Sequence, residues 1–192
     1  MRLSSLLVLL PVALTASYVI PQDTPDGVYR TYLDESGNEV HERIGDGVPI
    51  GNAVALRDIV TPQFSNEKRQ RIWDTACGCG IGLDHGSTDA AVQDLKNQIG
   101  PNNRNQNDIN YYSIRGGVVA FSCLDDAWWT TTESGYLTNA YSTITARCGW
   151  YIAGTAELSP DGAAEPSVVG YMRYTNGLDF CRNAWASNRA SC

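Results

Sequence analysis

Six cysteines, Cys77, Cys79, Cys123, Cys148, Cys181 and Cys192, lie after a cysteine-free first third of a 192-residue chain. An even number of cysteines in an exported chain predicts an oxidised framework, so any fold open to this sequence must bring the six sulfurs together in pairs. Sequence alone does not choose among the connectivities. The pairing taken as the expectation closes the C-terminal loop with Cys181 and Cys192 and shares Cys77 and Cys79 between Cys123 and Cys148. Cys77 and Cys79 are read as facing opposite sides of an extended segment and bonding to different partners, since a bond between the two is sterically poor.

Export itself is read from "MRLSSLLVLLPVALTAS" at residues 1–17. One early Arg, an apolar run from Leu6 to Leu14 and the small residues Ala16 and Ser17 are the three parts of a secretory signal peptide. The run is far shorter than the roughly 20 residues that span a bilayer, and no later stretch is long and apolar enough, so no membrane anchor is expected. A net charge of -7, with Lys68 and Lys96 the only lysines, argues against nucleic acid or an anionic membrane as a partner. No Asn-x-Ser/Thr sequon occurs.

Residues 18–69 form a cysteine-free segment with one clear local element. In "GVYRTYLDESGNEVHERIG" the stretches Val28–Leu33 and Val40–Ile44 alternate apolar and polar residues around turn formers, which predicts a β-hairpin. A lone hairpin is marginal in water, so it must lean on the cysteine-bearing body or on a partner. The following "GDGVPIGNAVALRDIVTPQFSNEK" reads as a connector that packs in part. It ends at Lys68-Arg69, a dibasic directly before the cysteines. A kexin-like cut there would make 18–69 a pro-segment and release 70–192; the plainer reading is a solvated helix turn through "NEKRQRIW".

Residues 70–192 read as a cysteine-rich α+β domain. "HGSTDAAVQDLKNQIGP" predicts a helix with Ser87 as N-cap, Ala91, Val92, Leu95 and Ile99 on one stripe, and Gly100-Pro101 as the stop. "INYYSIRGGVVAFSCL" is strand-rich, folded at Gly116-Gly117 as a hairpin or as one bent strand. A second helix is expected in "SGYLTNAYSTITARCG", with Leu137, Tyr141, Ile144 and Cys148 on one face and Gly149 after the last turn. "WYIAGTAEL" and "SVVGYMRYT" supply two further strands. The expected fold is a disulfide-stapled two-layer α/β sandwich, two helices on one face of a mainly antiparallel sheet, with an N-terminal hairpin-containing leader.

Candidate chemistry is sparse. Cys77, Cys79, Asp84 and His85 are all zinc-ligand types, but His41 is the only other histidine and the pattern lacks paired ligand spacing, so neither a metal nor any other cofactor is expected. Asp84-His85 also suits general acid/base work, against which stands its place in a Gly-rich turn before a helix. Asp125 and Asp126 followed by Trp128 and Trp129 offer a carboxylate pair beside aromatic platforms, as a glycosidase or a sugar-binding surface would need. Nucleophile elbows and zinc-protease helices are missing from the sequence.

The signal peptide, "KR" ahead of the cysteines, "DAAVQDLKNQI", "GGVVAFSC", "ITARCGWYIAGT" and "VVGYMRYTNGLDFC" together resemble the small secreted cysteine-rich proteins of filamentous fungi, of the killer-toxin-like or effector kind. The resemblance is one of architecture and cysteine habit over most of 70–192. It implies a stapled α/β sandwich acting outside the cell on a host or competitor target, and it carries over no catalytic residue. The expected function is therefore extracellular binding to a protein or carbohydrate target, with Trp128 and Trp129 as the binding residues. The alternative is a secreted, polysaccharide-directed hydrolase that uses His85 with a carboxylate from Asp84, Asp125 or Asp126.

Overall fold

The computed structural model describes residues 18–60, 71–101, 109–124, 134–159 and 167–192. The signal peptide at 1–17, Lys68-Arg69 and the stretch holding Asp125, Asp126, Trp128 and Trp129 lie outside the described residues. In chain order the elements are β1 (Gly27–Leu33), β2 (Glu39–Gly45), a 3-10 turn at Ile50–Asn52, α1 (Leu56–Ile59), β3 (Arg71–Gly82) and α2 (His85–Ile99). They continue with β4 (Asn110–Arg115), β5 (Val118–Leu124), α3 (Ser134–Cys148), β6 (Ile152–Ser159), β7 (Ser167–Arg173) and α4 (Phe180–Asn183). Among the described residues this is an α+β fold in which a seven-stranded antiparallel sheet runs β2-β1-β4-β5-β7-β6-β3.

The N-terminal hairpin forms where its alternation placed it, with the Asp34 carboxylate accepting from the Ser36 and Asn38 N–H groups at 2.9 and 2.8 Å to close the turn. It then joins the main sheet. β1 pairs with β4, Tyr29 opposite Tyr112, and the two rings stack at 4.9 Å. Residues 18–60 and the cysteine-bearing body therefore share one continuous ladder.

α2 starts a turn earlier than its sequence signal suggests. Its N-cap is Asp84, not Ser87: the Asp84 carboxylate accepts from the Ser87 N–H at 2.8 Å and its carbonyl accepts from the Thr88 hydroxyl at 2.7 Å. An anionic oxygen at the helix N-terminus satisfies an orphan donor and suits the helix dipole, and it leaves Ser87 buried in the first turn. Gly116-Gly117 makes the tight β4–β5 hairpin rather than a bend, with Gly116 at a φ of 51°.

β4 and β5 are buried along their whole lengths, which means that both faces of the sheet centre are covered. One face carries α2 and α3. Val92, Leu95, Ile99, Leu137, Tyr141 and Ile144 pack there against Val118, Ala120, Val169 and Tyr171. The other face holds a separate core of Tyr29, Tyr112, Val119, Phe121 and Val168, closed by Tyr18 and Ile20 from the N-terminal end and Leu178, Phe180 and Ala184 from the C-terminal end. The two ends meet there, the Ile20 N–H donating to the Leu178 carbonyl at 2.9 Å.

All six cysteines are paired; Cys77–Cys148 falls within the expected sharing, and the other two pairs differ from the expected ones. Cys77 bonds Cys148, tying β3 to the end of α3; Cys123 bonds Cys181, tying β5 to α4; Cys79 bonds Cys192, tying β3 to the last residue. Cys181 and Cys192 do not close a loop on each other, because α4 sits over the sheet centre while the tail runs on to its edge. Nor do Cys77 and Cys79 take opposite sides: strand alternation sets residues two apart on one face, and both sulfurs meet the helix-side core. Their partners differ because α3 ends beside one and the tail passes beside the other.

The connector after the hairpin packs along α2. Its backbone N–H groups at Val48, Val54 and Leu56 donate to the side chains of Asp94, Gln93 and Asp89, and Leu56 and Val60 enter the helix-side core. Asp94 is the hub. Only 2% exposed, it accepts from Arg115 Nε at 2.6 Å and from the Ser113 hydroxyl at 3.0 Å, while the Arg115 guanidinium also holds the Asp46 carbonyl. Gly47, at a φ of 71°, passes so close that a Cβ would overlap the guanidinium. Replacing one member of such a buried pair strands the other without a counter-charge. Asp94→Ala is expected to destabilise the protein by about 3–5 kcal/mol in urea unfolding, and a loss below about 1 kcal/mol would show that the pair is not what holds this corner.

Candidate functional site

The face opposite α2 and α3 thins out toward β3. Across β5, β7, β6 and β3 the register aligns Phe121, Gly170, Thr155 and Ala76, so the side chains shrink from an aromatic ring to a methyl group. Gly170 admits nothing larger, since a Cβ would lie 2.6 Å from Thr155 Cγ2 and 2.9 Å from Phe121 Cζ. Ala153 and Gly78 extend the small surface, the Ala153 methyl lying 3.2 Å from where a Gly78 Cβ would stand.

The C-terminal segment arches over this floor. Thr155 Oγ1 donates to the Ala184 carbonyl at 2.8 Å, Ser187 Oγ to the Cys77 carbonyl at 2.7 Å, and the Cys77 N–H to the Arg189 carbonyl at 2.7 Å. Cys123–Cys181 and Cys79–Cys192 anchor the arch at both ends, and the Cys192 N–H donates to the Arg147 carbonyl. Beneath it remains a cleft of about 370 Å³, walled by Ile81, Met172 and Leu178. Trp185, directly after the cleft-lining Ala184, is exposed, as are Trp73 on β3 and Trp150 after α3.

The acid/base candidates lie elsewhere. Asp84 and His85 are both exposed at the start of α2; the Asp84 carboxylate is occupied as the cap, and the His85 ring stacks on Tyr151 at 3.8 Å. The Ser87 backbone N–H holds the Asp84 carboxyl below its ordinary value, with the Ser87 side chain adding to the effect. Cys77 and Cys79 are disulfide-bonded and offer no thiolate to a metal. Among the described residues no group of three His, Cys, Asp or Glu side chains converges as metal ligands would.

The other histidine makes the more developed polar cluster. His41 Nε2 lies 2.7 Å from Glu39 Oε1 and Nδ1 lies 2.9 Å from the Tyr112 hydroxyl, a Glu–His–Tyr line from the rim of β2 into the core. Burial raises the Glu39 carboxyl, opposed by the His41 hydrogen bond, and burial pushes the Tyr112 phenol well above its ordinary range. The line resembles a proton relay in its parts but ends on a phenol with no exposure, so no substrate reaches it. It locks β2 to the second core. The sequence held the signal, because Glu39 and His41 share a strand face, yet nothing in it placed Tyr112 opposite.

No protein-family model, curated protein or solved structure matches this chain significantly. Among the described residues no helix is long and apolar enough to cross a membrane.

Since the Asp84 carboxyl is lowered in the fold, its contribution is complete above the unfolded carboxylate value and disappears as pH falls through the lower folded value. Asp84→Ala is expected to reduce stability by about 1 kcal/mol at neutral pH, with the gap to the parent closing in acid. A gap that persists unchanged at low pH in denaturant titrations would remove the capping role.

Proposed function

We propose that this chain is exported and acts outside the cell by binding, as an effector-like or toxin-like protein, with no chemical step of its own. One observation carries the reading: among the described residues, the lining of the apolar cleft contains no carboxylate, imidazole or thiol, and its Thr155 and Ser187 hydroxyls are engaged by backbone carbonyls. General acid/base catalysis needs such groups within reach of a bound substrate, and nucleophilic catalysis by a hydroxyl needs one of them to activate it. Three disulfides suit an oxidising extracellular setting, and exposed tryptophans such as Trp185 are usual anchors of a binding surface. The hydrolase alternative draws no support from Asp84 and His85, whose side chains are taken up by the helix cap and by Tyr151.

The assay is direct. Purified, disulfide-intact protein is expected to leave a panel of cell-wall glycans and esters unchanged, and His85→Ala is expected to keep the full extracellular activity. Turnover that disappears in His85→Ala would replace binding by hydrolysis.

Processing after Lys68-Arg69 belongs to the same proposal, and the sheet dictates its consequence. β1 would keep its ladder to β4, and the Asp94–Arg115 hub would keep its hold on Asp46 and Val48, while no disulfide crosses the cut. The cut protein is expected to run as one species in native mass spectrometry and as two in denaturant without reductant. A single intact chain beginning near Ser17 or Tyr18 would rule out the cut, and fragments that separate in native buffer would show that the hairpin is a dispensable leader.

A further inference from the structure

The three disulfides are set at different depths. Cys77 and Cys148 are 0% and 3% exposed, and Cys123, at 4%, is bonded to the half-buried Cys181. Of the six cysteines Cys192 alone is exposed, and its partner Cys79 is half-buried. Thiol–disulfide exchange begins when a thiolate reaches a sulfur from outside, so access sorts the three bonds on the folded protein. Cys79–Cys192 offers the easiest approach.

The same bond holds the part of the fold with least support of its own. From Trp185 to Cys192 no residue is buried, and 187–192 lie outside any helix or strand. Polar contacts lay this stretch along the outer edge of β3: Ser187 Oγ donates to the Cys77 carbonyl, the Cys77 N–H to the Arg189 carbonyl, and the Cys192 N–H to the Arg147 carbonyl where α3 ends. Segments with few buried apolar contacts open at the lowest cost. β3 itself does not depend on them, since its ladder to β6 and the buried Cys77–Cys148 bond hold it from the other side.

We propose that Cys79–Cys192 is a reducible latch: a dithiol reductant opens it on the folded protein, and residues 185–192 then leave the edge of β3. A reductant thiolate attacks Cys192 Sγ, the S–S bond breaks and Cys79 departs as the thiolate. The second thiol of the reductant resolves the mixed disulfide and frees Cys192. Two electrons pass to the protein, the two cysteines end as thiols and the reductant ends as its own disulfide. Release of the strap leaves the Cys77 N–H and carbonyl unpaired on the β3 edge and removes Ala186 and Ser187 from one side of the cleft. An edge so exposed is open to pairing with an added strand. In the oxidised protein the strap occupies that edge, so the latch governs access to this face whatever the face binds.

The test is a titration of the full oxidised chain with dithiothreitol in native buffer, followed by alkylation, peptide mapping and amide hydrogen exchange. Cys79 and Cys192 are expected to be labelled at a reductant concentration about tenfold below that needed for the other four cysteines. At that point the Cys77 amide is expected to exchange about tenfold faster or more, with the amides of β4 and β5 unchanged. The doubly substituted chain, Cys79→Ser with Cys192→Ser, is expected to fold and to show the fast Cys77 exchange with no reductant present. Three results overturn the latch: another pair opening first, all three pairs opening together with loss of the fold, or a Cys77 amide that stays protected after Cys79 and Cys192 are labelled. Failure of the double variant to fold overturns it as well, because the bond would then be needed to hold the sheet and not the strap alone.

Discussion

Two-sided burial of β4 and β5 is the constraint on which the rest of this structure depends. A central hairpin with every residue buried needs apolar cover on both faces, and the chain supplies it from different places. α2 and α3 cover one face, while the N-terminal residues around Ile20 and the C-terminal stretch from Leu178 to Ala184 cover the other. Both of these segments are thereby drawn into the core. The hairpin of β1 and β2 follows, since β1 must lie against β4 for Tyr29 to stack on Tyr112.

The disulfides divide along the same lines. Cys77–Cys148 reinforces the helix side, Cys123–Cys181 the opposite side, and Cys79–Cys192 holds the tail along the outer edge of β3. Their separations of 71, 58 and 113 residues would each remove about 4–5 kcal/mol of chain entropy from the unfolded state in the loop-closure account. The third bond has an added consequence. A sheet edge left open is a template for pairing with other chains, and the strapped tail takes the Cys77 N–H and carbonyl on that edge.

That tail also makes the cleft. Small side chains on β3 and β6 leave the sheet floor low, and an arch pinned at Cys181 and Cys192 cannot collapse onto it. Polar chemistry is kept away from this space: Asp94 and Arg115 neutralise one another at the hairpin side, His41 is absorbed between Glu39 and Tyr112, and Asp84 caps a helix. The Thr155 and Ser187 hydroxyls at the cleft serve the arch.

Much of the local structure was legible in the sequence, because it follows from periodicity and turn chemistry within short windows. The order strand, helix, two strands, helix, two strands after residue 70 is the one found, and the stripes of Val92, Leu95 and Ile99 and of Leu137, Tyr141 and Ile144 face the core as their spacing required. The helix start slipped by a turn because Asp84 and Ser87 both have capping side chains, and only the geometry shows which reaches a free N–H. Disulfide partners, the Glu39–His41–Tyr112 line and the cleft were hidden for a different reason: each joins residues more than fifty positions apart, and local pattern carries no information on which strands become neighbours. By itself the sequence determined an α+β composition with six cysteines to pair. The tertiary structure decided that the residues around Ile20 and the stretch from Leu178 to Ala184 would roof one face of the sheet, because only strand order says where a buried hairpin still needs cover.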